Sequence, residues 1–202
     1  MHPTSRQADR QHRKSTVTRA RIERAAISLF AAQGVDAVST RELAQAAGLS
    51  EGALYRHFDG KEAFATELFF KIHRCLADAV AEAAEIEGTL TQKTNAIVSA
   101  YCEFADADWD SFSFHLLNTH RFLPYSDKVP EAPQSAVDVV QGVIQDAIKR
   151  GELQQCDAGI KTAMVLGVVL QVAFHKIYGR LDAPLSAQKD TVATAIQSLL
   201  HA

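Results

Sequence analysis

The sequence predicts an all-α protein, with a small three-helix module at the N-terminus and a larger helical bundle behind it. Three observations carry this. Apolar residues recur at helical spacing along the 202 residues, as at Ile22, Ala26, Leu29 and Phe30. No run of β-branched or aromatic residues alternates between turn signals, as a strand would require. Glycine and proline instead break one periodic stretch from the next.

The elements follow in order. Residues 1–15 are expected to be a disordered basic arm. A first helix is expected from about Val17 to Gln33, with Gly34 where a C-cap glycine belongs. Ser39-Thr40-Arg41-Glu42 is a capping box, in which hydroxyl and carboxylate each satisfy the other residue's amide. It opens a helix over Ser39–Ala47, stopped at Gly48. A short helix over Glu51–Phe58 starts from Ser50, and Asp59 followed by Glu62 opens a long one reaching about Glu87, with Gly88 as its stop. Further helices are expected at about 89–106, 109–120, 132–150, 157–179 and 185–201. Pro124, Pro130 and Pro133 mark a loop, and Gly151 and Pro184 separate other elements. The expected division is an arm (1–15), a helix-turn-helix domain (16–62) and a bundle (63–202).

Composition sets the bounds. Hydrophobic residues make up 47% and charged residues 22%, which fits a globular protein with a real core. No apolar run reaches the roughly 18 residues of a membrane span, and the start Met1–Arg6 lacks the apolar stretch of a secretory signal. The expectation is a cytoplasmic protein without a membrane partner. Cys75, Cys102 and Cys156 are odd in number and far apart, and read as buried free thiols. The net charge of −3 conceals an asymmetry. Residues 1–60 carry nine Lys/Arg against six Asp/Glu, and the rest of the chain is acidic. The first 24 residues carry seven basic residues against Asp9 and Glu23. Such an end suits a polyanion partner, although a solvated tail has the same composition.

Residues 39–58 read as helix, tight glycine turn, helix, which is the helix-turn-helix pattern. Leu43, Ala44, Ala47, Leu49 and Leu54 would form its core against Ile22, Leu29 and Phe30. A helical hairpin without a ligand shares that turn, so the flanking residues decide. Thr40 and Arg41 open the first helix of the pair, where amides and a hydroxyl favour a phosphate. Tyr55, His57 and Lys61 cluster at the other end, and all are phosphate-contact types.

Thr18–Phe64 also resembles the N-terminal domain of the TetR (tetracycline-repressor-like) regulators. The matching residues are Ala25–Phe30, Gly34, Thr40–Ala44, Ala47–Ser50, Gly52–Phe58 and Lys61-Glu62. The resemblance implies a repressor that binds a pseudopalindromic double-stranded DNA operator as a homodimer and is released by a small molecule. By position it implies DNA-contacting roles for Thr40, Arg41, Ser50, Tyr55, His57 and Lys61. Gly52, Ala53 and Arg56 would lie nearest the bases, with Arg56 suited to guanine. Glu51 stands where a basic residue is common. It weakens attraction there, and either accepts from a cytosine amino group or pairs with the helix dipole.

Gly159–Gly179 is apolar nearly all round, so it should be buried on every side. It is either a central helix or, as the resemblance implies, half of a four-helix dimer bundle through about 157–179 and 185–201. An effector of unknown identity would meet some of Tyr101, Phe104, Trp109, Phe112, Phe114, His115, Phe122 and Phe174, which plain core packing would explain equally. His115 and His120 lack the i, i+4 spacing of a metal pair, so no metal or cofactor is expected. No phosphate loop or nucleophile elbow appears. Asp106, Asp108 and Asp110 fit capping, so catalysis is not expected.

Overall fold

The structure, a computed structural model, describes residues 5–123 and 135–202, with side chains from Ser15 onward. Pro124, Pro130 and Pro133 lie outside the described residues. Among the described residues there are nine α-helices and no strand. They are α1 (Ser5–Gln33), α2 (Thr40–Ala46), α3 (Glu51–Leu54), α4 (Lys61–Ala84), α5 (Leu90–Ala107), α6 (Trp109–Phe122), α7 (Ala136–Lys149), α8 (Ala158–Ile177) and α9 (Lys189–Leu200). A short 3-10 turn, Leu185–Gln188, leads into α9.

The N-terminal helix begins earlier than periodicity suggests. No glycine or proline lies between Pro3 and Gly34, and the backbone is already helical at Ser5, inside the segment expected as a disordered arm. α3 is shorter than expected, ending at Leu54 rather than Phe58. The His57 amide donates to the Leu54 carbonyl at 2.9 Å, a three-residue closure that tightens the chain out of the α-helix. α4 ends at Ala84 rather than Glu87. There the Lys93 ammonium takes the Ala84 and Ile86 carbonyls at 2.5 and 2.7 Å.

The chain forms two compact units. The first comprises the described part of Met1–Lys71 with Phe114–Leu123. The sequence places a boundary at 62/63, whereas compactness carries the first unit to Lys71 and adds the end of α6. Packing explains the addition, since Phe114 meets Phe30 with ring centroids 5.7 Å apart. α1 buries Ile22, Ala26, Ile27 and Phe30, while Leu29, expected in the core, is half-buried. Leu43, Ala44, Ala47 and Leu54 complete this core, and Phe58 stacks on Phe64 at 4.4 Å.

The second unit comprises Ile72–Ser113 and the described residues from Ser135 to Ala202. α5 packs on α9 and the 3-10 turn, and α8 packs on α7 and α9. The Asp106 carboxylate caps that turn, accepting from the Leu185 and Ser186 amides at 2.9 and 2.8 Å. α8 corrects two expectations. By length and composition it is apolar enough to cross a bilayer, yet Lys161 near its start donates to the Leu199 carbonyl at 2.8 Å. It is also not buried on every side of the single chain. Thr162, Val165, Val169 and Ala173 face inward, while Ile160, Met164 and Tyr178 are 61%, 50% and 59% exposed. The cysteines differ from expectation as well. Only Cys102 is buried; Cys156 is half-buried and Cys75 exposed, because α4 turns its inward face through Ile72, His73, Leu76 and Ala77.

The capping box at Ser39 forms as expected, with Glu42 N to Ser39 Oγ at 3.2 Å and Ser39 N to Glu42 Oε2 at 2.8 Å. Ser39→Ala leaves the first amides of α2 unmatched, a loss of about 1 kcal/mol. The expected outcome is a melting temperature lower by about 2–4 °C for a chain of this size, read by circular dichroism. An unchanged melt would show that α2 does not depend on its cap.

Candidate nucleic-acid interface

The geometry starts at the turn between α2 and α3. Gly48 has φ +63°, the left-handed conformation that glycine adopts without steric cost. Its amide donates to the Gln45 carbonyl at 3.0 Å, and the Leu49 amide to the Ala44 carbonyl at 2.8 Å. That pair of bonds is a Schellman closure. It ends α2 and delivers Ser50 as the N-cap of α3, its hydroxyl accepting from the Ala53 amide at 3.3 Å. Ser50, a candidate contact by sequence, therefore has a local structural task.

The turn brings three candidate residues together. Thr40 opens α2, Glu51 opens α3 and Tyr55 caps the end of α3. The Tyr55 phenol donates to Thr40 Oγ1 at 3.4 Å, and Thr40 Oγ1 lies 3.5 Å from Glu51 Oε2. These are long contacts that a competing phosphate can replace. Arg41, Gly52, Tyr55 and Arg56 are exposed and Ala53 is half-buried, so one surface of the module offers two guanidiniums, a phenol and a hydroxyl around one carboxylate. Hydroxyls and guanidiniums in that arrangement suit phosphate oxygens and base edges.

His57 and Lys61 are placed differently. His57 is half-buried, and its carbonyl accepts from Arg19 Nη1 at 2.8 Å. The Lys61 ammonium donates to the Asp36 and Val38 carbonyls at 3.2 and 2.9 Å. An ammonium carries three donors, so one remains for a phosphate.

Sequence reading missed two arginines that hold this surface. Arg19 was counted only as positive charge. From α1 it binds the His57 carbonyl, Glu23 and Glu67, and lies 6.0 Å from the Phe64 ring centroid. Arg121, near the end of α6, forks onto Asp36 with contacts of 2.8 and 2.9 Å and reaches Glu62 at 2.7 Å. The hydrogen bond from Arg121 holds the Asp36 carboxyl below the usual carboxylate range. The basic character of both residues was visible, but their partners lie tens of residues away.

The aromatic candidates divide between the units. In the first, His115 stacks on Phe69 at 4.8 Å and Phe122 meets the same ring at 5.1 Å. In the second, Tyr101 and Trp109 flank Phe112 at 5.3 and 5.6 Å. Phe174 stacks on Tyr178 at 6.0 Å, and Phe104 is half-buried on α5. A cleft of about 410 Å³ between α8 and α9 is lined by others, including Val172, His175, Arg180 and Thr191. His120 and His175 are exposed. No three His, Cys, Asp or Glu side chains among the described residues gather in a way that could hold a metal ion.

Comparison with known proteins follows this geometry. Residues 22–68 match the model for bacterial regulatory proteins of the tetR family. Over 136 residues the chain is 29% identical to the HTH-type transcriptional repressor KstR2 of Rhodococcus jostii, covering 63% of this chain and 66%, just under two thirds, of that one. Over 179 residues it is 20% identical to the fatty acid metabolism regulator protein of Bacillus subtilis, covering 88% and 92%. The crystal structure of the transcriptional regulator FadR from Bacillus subtilis in complex with stearoyl-CoA has the same fold, with a TM-score of 0.74 at 19% identity over 90% and 99% of the two chains.

The Arg121 network has a pH signature. Because the folded Asp36 carboxyl titrates below its unfolded value, its contribution is complete above the unfolded pKa. It is lost as pH falls through the folded one. Arg121→Ala is therefore expected to melt below the wild type at neutral pH, with the gap narrowing between about pH 5 and about pH 3. Thermal melts across that range check it. A gap that stays constant in acid would mean that carboxylates are not the operative partners.

Proposed function

This chain belongs to the tetR family of bacterial regulatory proteins, and on that premise we propose that it is a repressor, released by a small molecule, that binds a pseudopalindromic double-stranded DNA operator as a homodimer. The observation that carries the reading is the exposed surface where Thr40, Glu51 and Tyr55 meet beside Arg41 and Arg56. Thr40, Arg41 and Tyr55, with Ser50, His57 and Lys61 around them, bind phosphates. Arg56 reads a base edge from the major groove, with Gly52 and Ala53 giving the close approach. Glu51 repels phosphate and so lowers affinity for arbitrary sequence.

A single short recognition element is weak, and a two-fold dimer doubles it. The exposed apolar side of α8, with Ile160, Met164 and Tyr178, supports an interface there, joined by α9. The effector binds within the larger part of the chain. The similarity to a fatty acid metabolism regulator, and to a fold solved with stearoyl-CoA, points to a long-chain acyl thioester. α6 starts at Trp109 and carries Arg121 near its end, where it grips Asp36 and Glu62. An effector that binds more tightly to one setting of α4 and α6 changes the spacing of the two reading heads. It acts only through that difference in affinity. The protein works in the cytoplasm, without catalysis and without a membrane.

Two measurements test this. Arg56→Ala is expected to weaken operator binding by about 1–3 kcal/mol and to relax preference at one base pair per half-site, seen by gel shift on the selected operator. Retained affinity and preference would remove Arg56 from the reading surface. Met164→Lys is expected to convert the dimer to a folded monomer in analytical ultracentrifugation and to abolish tight operator binding. A charged variant that stays dimeric would place the interface elsewhere.

A further inference from the structure

Among the described residues, one buried polar side-chain atom has no hydrogen-bond partner, the hydroxyl of Tyr101 on α5. The other buried hydroxyls of this unit behave ordinarily. Thr162 donates to the Ala158 carbonyl at 2.7 Å, and Ser113 to the Asp110 carbonyl at 3.2 Å. The Tyr101 ring meets Phe112 edge-on at 5.3 Å, and Phe112 leans on Trp109 at 5.6 Å. Phenylalanine would fill the same volume without burying an unmatched donor, so a phenol here calls for a partner.

The surroundings restrict that partner. Burial raises the phenol well above its ordinary pKa, so at physiological pH the group is a neutral donor. An anionic head would need a cation beside it. Lys176, which lies 5.1 Å from the Trp109 ring centroid, already donates to the Ala183 carbonyl at 2.9 Å and to the Asp182 carbonyl at 3.5 Å. The fitting chemistry is a neutral acceptor carried on an otherwise apolar molecule.

We propose that the Tyr101 hydroxyl donates to the thioester carbonyl of the effector, its polar anchor beside the Phe112 and Trp109 rings. The inference rests on the reading of the chain as a regulator released by an acyl thioester, and it names the contact that recognises the ligand.

The test is calorimetric titration of the full chain with stearoyl-CoA and with S-octadecyl-CoA, a thioether of the same length without the carbonyl. The wild type is expected to prefer the thioester by about tenfold, the size of one buried hydrogen bond. Tyr101→Phe is expected to bind both compounds alike, at the weaker level, while melting without ligand at or above the wild-type temperature. A Phe variant that keeps the preference, or a wild type that has none, overturns the anchor and leaves the regulator reading standing. So does an unliganded Phe variant that melts below the wild type, because the hydroxyl then serves a structural partner. A wild type that binds neither compound removes the acyl-thioester effector together with its anchor.

Discussion

Arg19 reaches from α1 to the His57 carbonyl at 2.8 Å, and the position of the reading surface depends on that bond. α3 has four residues, far fewer than a helix needs to persist in water. Its start is fixed by the Ser50 hydroxyl and its middle by the buried Leu54. Its end has only the tightened turn at Leu54–His57 and the guanidinium that takes the last carbonyl. The same guanidinium binds Glu67 on α4 and Glu23 on its own helix. The Glu67 hydrogen bond is the largest influence holding Arg19 in its charged form. One side chain thus ties α1, α3 and α4, and Tyr55 and Arg56 sit on the segment it holds.

Arg121 is the counterpart at the other edge of the same unit. Its fork onto Asp36 has the planar geometry that makes guanidinium–carboxylate pairs directional. Glu62 adds a second acceptor. Both acidic partners are largely exposed, so the network contributes modestly to stability in salt. Its value is positional. It connects the end of α6 to the α1–α2 connection and the first turn of α4, where Lys61 also holds the Asp36 and Val38 carbonyls.

Glu51 sets the balance of the surface. Its carboxylate lies within 3.5 Å of the Thr40 hydroxyl, which in turn accepts from Tyr55. These groups satisfy one another when no polyanion is bound, and an approaching phosphate must compete with the carboxylate for the hydroxyl. The price is lower affinity for any sequence, and the return is discrimination, because a base edge that donates to Glu51 recovers what the phosphate loses.

The sequence by itself determined the helix-turn-helix and its caps. The bonds of Ser39 with Glu42, of Gly48 with Gln45 and of Ser50 with Ala53 span three residues each, a range over which residue type and spacing decide geometry. It also determined that the chain is helical throughout and basic at one end. Tertiary structure alone decided what lies across long separations. Arg19 and His57 are 38 residues apart, and Arg121 and Asp36 are 85 apart, so composition could record the charges but not the partners. It divided the aromatic candidates as well, setting His115 and Phe122 on Phe69 and setting Tyr101 and Trp109 on Phe112. Periodicity gives the face of one helix and says nothing of which neighbour that face meets. For the same reason the apolar surround of α8 was legible, while the exposure of Ile160 and Met164 became visible only when α7 and α9 had taken their places.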